Sequence, residues 1–463
     1  MIFSSILFLY FFLPVFMGIY GLAKPKHRAK ALALGSCFFT AWENPWGLIN
    51  LAVSGICAYI GGILIYNFRE NRRKSGAAMI ICAAVNAAML VFFSYSGYDR
   101  TSLIGAALGR DTVLPFSAFG VSVYTLHSIS YCADIYRGSL EPDIKFSCVF
   151  SYTAFIPSMV CGPVVRYKEL SESLKAPRIT SGKLSDGILL FMFGLFEKTA
   201  VSDRLGFLWK DMTSAGAESM QLETAWLGLL IFGFWFYFEF LGFSHMARGF
   251  ALMLGFELKP NFKLPFTEKT IIGFASSFNI SLNRWAKDYI YDSFTKNKDS
   301  RVINSAKLLL CAAAVGLWYG TGVNFILWSV FTALLILAES GLKNILSRIP
   351  SAVRFIMTQL SVLLSWSVLS GKDLHSTFGY IRALFRLEAV SGGDTVWYWL
   401  KSSFVLIVLC MLLASPLMKL LNSKLRDLKF DVISFSKPMI ILALLILCTA
   451  FMVSGNGKAA FAF

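Results

Sequence analysis

Long apolar blocks follow one another along this chain, and the polar positions between them are gathered into short loops. A hydrocarbon core about 30 Å thick demands about 20 consecutive apolar residues of a helix, because no water is present there to satisfy the backbone. Such blocks fall near residues 2–22, 29–42, 46–67, 75–95, 115–136, 144–162, 185–200, 224–256, 305–319, 322–341, 353–370, 396–421 and 436–455. Several are shorter or longer than a simple span. The pattern therefore predicts an all-α polytopic membrane protein with about 11 to 13 membrane-embedded helices, some tilted, broken or re-entrant. Residues 1–463 read as a single integral membrane domain.

Finer periodicity changes this picture in three places. Basic residues flank block 144–162 on both sides (Arg137 and Lys145, then Arg166, Lys168 and Lys175), whereas a true span should alternate. That block is expected to be re-entrant or broken, with Pro157, Gly162 and Pro163 marking the break. Block 224–256 is too long for one straight span, and Gly242 and Gly249 are the expected bends. From Phe274 to Asp292, apolar Phe278, Ile280, Leu282, Trp285 and Tyr289 alternate with Asn279, Asn283, Arg284, Lys287 and Asp288. That mixture predicts an amphipathic helix at an interface or dipping into a funnel.

Composition narrows the function classes. With 56% hydrophobic and 15% charged residues in 463, the chain is neither a soluble globular enzyme nor a disordered tail. The net charge of +16 is scattered through short loops, which argues against nucleic acid as a partner and for membrane lipids. Lys24, Lys26, Arg28 and Lys30 follow the first block, and Arg69, Arg72, Arg73 and Lys74 the third. The positive-inside rule makes both loops cytoplasmic and puts Met1 and Glu43 outside. The first block has no charged leader and no small-residue cleavage site, so it reads as a retained helix. Nine cysteines lie in apolar surroundings without paired spacing, and no metal site is expected.

At membrane depth the informative residues are the polar ones, since each must be paired or wet. Tyr124, His127, Tyr131 and Asp134 share one helical face, lining a bundle interior or a water-filled cavity. Glu239, His245 and Arg248 fall within three turns of each other, as a paired structural network or a functional cavity. A third cluster joins the segment around Asn279 to Gly316–Asn324.

These residues carry a resemblance. The opening MIFSSILFLYFFLP, SVYTLHSISYCADIYRG with FIPSMVCGPVVRYKEL, GLFEKTAVSDRL, and FYFEFLGFSHMARGFALMLGFELKPNFKLPF leading to ISLNRWAKDYIY and GLWYGTGVNFILW resemble the membrane-bound O-acyltransferases. The likeness is to the bacterial branch that includes the alginate O-acetyltransferase membrane subunit. Order and spacing agree over about residues 1–345, and residues 346–463 match weakly. The resemblance implies a helical shell around a funnel in a bacterial cytoplasmic membrane. No bound cofactor is implied. An acyl thioester such as acetyl-CoA or an acyl carrier would act as co-substrate from the cytoplasmic side. The acceptor would be a hydroxyl of a cell-surface polysaccharide or an extracytoplasmic acetyltransferase partner. Glu239, His127, Trp285, Asp288, Tyr289, Trp318 and Arg166 are then expected to line the funnel or bind substrate.

The sequence departs from the family pattern where chemistry is expected. The histidine of the family's W-H-G motif is here Tyr319, in Trp318-Tyr319-Gly320, and that of W-H-I-S-L is Asn279. Imidazole, with a pKa near about 6.5, takes a proton at neutral pH, whereas a phenol near about 10 donates one and an amide is no base. The paired arginines of W-R-R-W read Ser276-Ser277, and the aspartate of Y-S-D-M is His245. Two main readings follow. In one, acyl transfer is retained with His245 as relocated base, Glu239 orienting it, Tyr319 donating to the oxyanion and Asn279 placing a substrate. In the other, the protein is an inactive family member serving as scaffold or acyl conduit. An unrelated transporter is a third reading, against which stands the absence of repeated halves.

Overall fold

The computed structural model describes residues 2–95, 120–294, 300–320, 322–371, 373–386, 396–417 and 430–454. All regular structure among them is helical. Eight of these helices are long and apolar enough to cross a membrane, and Phe8–Leu22 is a shorter apolar one. The predicted blocks recur as helices in the same order, apart from residues 115–119 and 418–421, which lie outside the described residues. The chain forms two compact units, Met1–Met192 with Phe243–Lys259, and Phe193–Gly242 with Pro260–Phe463.

The first unit contains α1 (Phe8–Leu22), α2 (Pro25–Glu43), α3 (Gly47–Asn67), α4 (Arg72–Tyr95), α5 (Val121–Tyr136), the short α6 (Phe146–Thr153) and α7 (Tyr167–Lys175). Pro25 opens α2, where its missing N–H costs nothing. Phe3, Phe8, Phe39, Phe191 and Phe250 pack ring on ring at 4.9–6.5 Å and fill this unit's core.

Block 144–162 is broken. Helix α6 has eight residues, about 12 Å at 1.5 Å per residue and far short of a bilayer. After it come a single 3-10 turn at Ile156–Ser158 and non-helical chain to Arg166, with residues 151–165 all buried. Irregular backbone inside a membrane domain needs protein partners, and side chains supply them. Tyr152 Oη donates to Val165 O at 3.0 Å, Ser158 Oγ to Pro163 O at 2.9 Å, and Ser36 Oγ to Ala154 O.

Helix α8 (Ser181–Phe196) continues through a π-helical stretch, Glu197–Ser202, into α9 (Asp203–Met212). Helix α10 (Leu222–Met253) follows, 32 residues without interruption. Its most apolar stretch is 89% buried, against 44% or less for the other seven candidate spans, which accounts for apolar residues all round it. Gly242 and Gly249, the expected bends, both lie inside this continuous helix and are points of close approach. A Cβ at Gly249 would overlap Phe191 N and stand 2.6 Å from Gly187 O, and one at Gly242 would stand 2.9 Å from Gly194 O.

The second unit adds α11 (Ile271–Ser277), α12 (Ile280–Ala286), α13 (Arg301–Tyr319), α14 (Val323–Gly341), α15 (Ser351–Trp366), α16 (Leu374–Ala383), α17 (Val396–Leu413) and α18 (Phe430–Ser454). Here the expectation is corrected, because Phe274–Asp292 is not one amphipathic helix. It breaks between Ser277 and Ile280, where Asn279 takes φ 48°, and turns π-helical at Lys287–Tyr291. Asn283 Nδ2 donates to Ala275 O at 2.7 Å and Phe278 O at 2.8 Å, so it caps the end of α11.

The glycine contact in the first unit yields a stability prediction. Gly249→Ala should cost about 1–3 kcal/mol through overpacking, read as a lowered unfolding temperature in detergent by tryptophan fluorescence. Gly18→Ala, where an added Cβ meets nothing within 4 Å, should change it little.

Candidate functional site

In the second unit the chain at Asn261–Lys263 runs beside the break in the α11–α12 segment. Lys263 N–H donates to Ser277 O at 3.0 Å, Ile280 N–H to Asn261 O at 2.9 Å, and Ser281 N–H to Asn261 Oδ1 at 2.8 Å. Asn261 Nδ2 then donates to Asn279 Oδ1 at 3.0 Å, and Asn279 Nδ2 donates to Tyr319 Oη at 2.8 Å. All three side chains are buried. Asparagine suits this place twice: it tolerates the left-handed backbone, and its amide accepts on one side while donating on the other.

Tyr319, in the last turn of α13, sits among rings. Phe240, Trp318 and Trp328 have their centroids 5.0–5.2 Å away and Phe236 5.7 Å. Tyr319, Phe278, Trp328, Trp366 and Phe274 line a cavity of about 910 Å³ whose walls come from α11 to α15. Most of the lining is apolar. Lys287 and Arg301, both exposed, join Asn304 and Ser305 where the π-helical stretch meets the first turn of α13. Trp328 lines the cavity with its ring, and its Nε1 is buried and without a hydrogen-bond acceptor among the described residues. Among the described residues, no imidazole or carboxylate lines the cavity.

The other sequence candidates are placed as follows. Glu239, 1% exposed, receives Lys198 Nζ at 2.9 Å and Ser202 Oγ at 2.6 Å, and Lys198 also meets Asp203 at 2.5 Å. Glu239 is thus the anchor of a buried ion-pair network with the π-helical stretch, where the sequence reading had it orienting His245. His245 is half-buried in the first unit. His127, also of the first unit, accepts Val165 N–H on Nε2 at 3.2 Å, and its Nδ1 stands 3.1 Å from Tyr152 O. The first contact needs an unprotonated Nε2, so Nδ1 carries the hydrogen and His127 is a neutral strut for the broken segment. Arg166, half-buried, opens α7. Trp285 stacks near Tyr289 at 5.4 Å and half-buried Asp288 lies between them in sequence, but the cavity takes Lys287 and Tyr291 from this stretch. Trp318 is half-buried beside Tyr319.

Asn261, Lys198, Ser202, Asp203, Trp328 and Trp366 were missed as site residues. Lys198, Ser202 and Asp203 had a signal in GLFEKTAVSDRL, where Lys198 and Asp203 put opposite charges inside an apolar stretch and Ser202 stands four positions after Lys198. Asn261 had none, because its role depends on chain running beside a break that periodicity does not reveal.

The fold and site together define a polytopic helical membrane protein with an apolar, cation-rimmed cavity ending on a buried polar pair. The family model described as MBOAT, membrane-bound O-acyltransferase family, matches residues 121–371, more than half of the chain. A probable alginate O-acetylase of Pseudomonas aeruginosa is 30% identical over 394 residues, covering 83% of this chain and 75% of the relative. A peptidoglycan O-acetyltransferase of Helicobacter pylori is 25% identical over 429 residues, covering 84% and 81%. A teichoic acid D-alanyltransferase of Bacillus subtilis is 23% identical over 318 residues, covering 65% and 73%. This chain belongs to the membrane-bound O-acyltransferase family.

The turn at Asn279 can be separated into backbone and side-chain parts. Asn279→Gly loses the two amide bonds but keeps an easy left-handed backbone, whereas Asn279→Ala loses both. The alanine variant should be less stable than the glycine variant by about 1–2 kcal/mol, measured by thermal unfolding in detergent; equal stability would mean that the backbone relaxes.

Proposed function

We propose that this protein handles acyl groups as its family does, taking an acyl group, acetyl by analogy with two of the relatives, from a thioester such as acetyl-CoA or an acyl carrier. It delivers that group to a hydroxyl of a cell-surface polysaccharide or to an extracytoplasmic relay partner across a bacterial cytoplasmic membrane. The observation that carries this reading is Tyr319 in the wall of the 910 Å³ cavity, held by the buried Asn279 amide, inside the segment the family model matches. Apolar walls suit an acyl chain or thioester, and Lys287 and Arg301 suit the anionic part of a donor. A phenol oriented by an amide suits an oxyanion as hydrogen-bond donor.

A second reading has its own observation: neither Asn279 nor Tyr319 is a base at neutral pH, and the described residues of the cavity lining include no imidazole or carboxylate. A member built this way binds an acyl donor and passes it to, or scaffolds, a partner that supplies the proton acceptor.

Ester-linked acetate on surface glycans, together with transfer by the purified protein, separates the two. Cells lacking the gene should lose ester, and the natural protein should restore it. If His245 is the moved base, His245→Ala should cut the restored rate by about 10²–10⁴-fold, and an unchanged rate removes His245 from the chemistry. If the protein is a conduit or scaffold, deletion lowers ester as well, but the purified natural protein transfers no acyl group by itself, and the double substitution Asn279→His with Tyr319→His should create transfer.

A further inference from the structure

The first unit holds a group of buried polar side chains that acyl transfer does not use. Ser128 Oγ donates to Ser54 O at 3.0 Å, and Cys132 Sγ lies 3.9 Å from both Cys57 O and Ala58 O. These contacts join residues 74 or 75 positions apart, so α3 and α5 run parallel in a fixed register. One turn toward the start of both helices, that register sets Asn50 against Tyr124 and Thr125. Helix α4 runs the other way: Ser75 Oγ donates to Ile65 O at 3.0 Å, and Cys82 Sγ is 3.7 Å from Cys57 O. One turn beyond Cys82, Asn86 comes level with Ser54, its Nδ2 bonded to Cys82 O at 2.9 Å.

Asn50, Ser54, Asn86, Tyr124 and Thr125 are each at most 1% exposed. Both amide atoms of Asn50, Ser54 Oγ, Asn86 Oδ1, Tyr124 Oη and Thr125 Oγ1 have no protein hydrogen-bond partner. Neighbouring buried groups of the same helices are bonded in full view: Ser128 to Ser54 O, Ser130 to His127 O and to Tyr152. A buried polar atom left unbonded is costly, and a gathering of six at one level of a three-helix contact requires an occupant.

We propose that this level of the α3–α4–α5 contact is a binding site for ordered water. The six atoms are neutral and include donors and acceptors, so an ion held there would gain no opposite charge from them. Water donates and accepts, and at about three bonds each about two or three molecules satisfy the set. The site lies in the first turns of α3 and α5, at the end of α3 away from the basic loop Arg69–Lys74. It makes one end of an otherwise small-residue, tightly packed contact wet.

The test is hydroxyl-radical footprinting of the full-length protein in lipid nanodiscs, with radicals generated from water in place by brief X-ray pulses and read by mass spectrometry. Tyr124 and Tyr152 are both fully buried, but Tyr152 Oη is bonded to Val165 O. Tyr124 should be modified at least about threefold faster than Tyr152, because bound water is the radical source. The pair Asn50→Leu with Thr125→Val should bring Tyr124 down to the Tyr152 rate, and Thr125→Val alone, which keeps the side-chain shape, should lower it part of the way. Tyr124 modified no faster than Tyr152 in the natural protein overturns the proposal. So does a rate unchanged in Thr125→Val and in any folded double variant, which would mean access from bulk solvent.

Discussion

The second unit depends on a single residue held in a backbone conformation that a helix cannot contain. Asn279, at φ 48°, ends α11 and lets α12 start in a new direction. The left-handed region costs an ordinary L-residue roughly 1–2 kcal/mol, and Asn is among the few that bear it. Asn261 repays the break by taking Ile280 N–H and Ser281 N–H and by donating to Asn279, while Asn283 closes α11. Because the turn is so fixed, the Asn279 amide reaches Tyr319 and Phe278 turns into the aromatic cluster with Phe236 and Trp366. The cavity wall is the consequence, since Phe274, Phe278, Tyr319 and Trp328 all line it.

The same accounting governs the charged and irregular parts. A lysine 3% exposed and a glutamate 1% exposed are tolerable only together, and Ser202 and Asp203 occupy their remaining sites. The π-helical stretch Glu197–Ser202 carries Lys198 and Ser202 to Glu239 while Gly242 allows the backbones to approach. In the first unit His127 performs the equivalent service for unwound backbone, taking a main-chain N–H at Val165 beside the Tyr152 carbonyl. Glu239 and His127 at depth thus answer to charge and to backbone.

Much of this fold was legible in the sequence because its signals are local. Apolar blocks placed the helices in order, and basic residues on both sides of 144–162 exposed the break around Pro157 before any coordinates. Local signals failed where two distant segments decide the outcome. The glycines of α10 read as hinges because glycine is a weak helix former, but the main chain of Gly187 and Phe191 needs the missing Cβ of Gly249, and that of Gly194 and Lys198 the missing Cβ of Gly242. The α11–α12 segment looked like one helix because its apolar periodicity hardly changes across Asn279; only the chain at Asn261–Lys263 makes the broken form the better one. Of the site, Asn279, Tyr319 and Trp318 were visible as departures from, or members of, a family motif. Asn261 and Trp328 were not, since one is a second-layer support and the other an aromatic residue among many.

What the pair can do follows from which atom gives the hydrogen. Asn279 Oδ1 is already occupied by Asn261 Nδ2, so the amide faces Tyr319 with its NH2, and Tyr319 Oη is the acceptor in that bond. A phenol that accepts a hydrogen bond becomes a better donor and a poorer base, the opposite of what deprotonating a hydroxyl requires. Its own hydrogen is of the kind that suits a carbonyl or an oxyanion. On the proposed reading the cavity holds and polarises an acyl group, with the cations at its exposed part facing the anionic remainder of a donor. None of the described lining residues is a proton acceptor at neutral pH, so on that reading the base is another group, such as the acceptor itself or one from a partner protein.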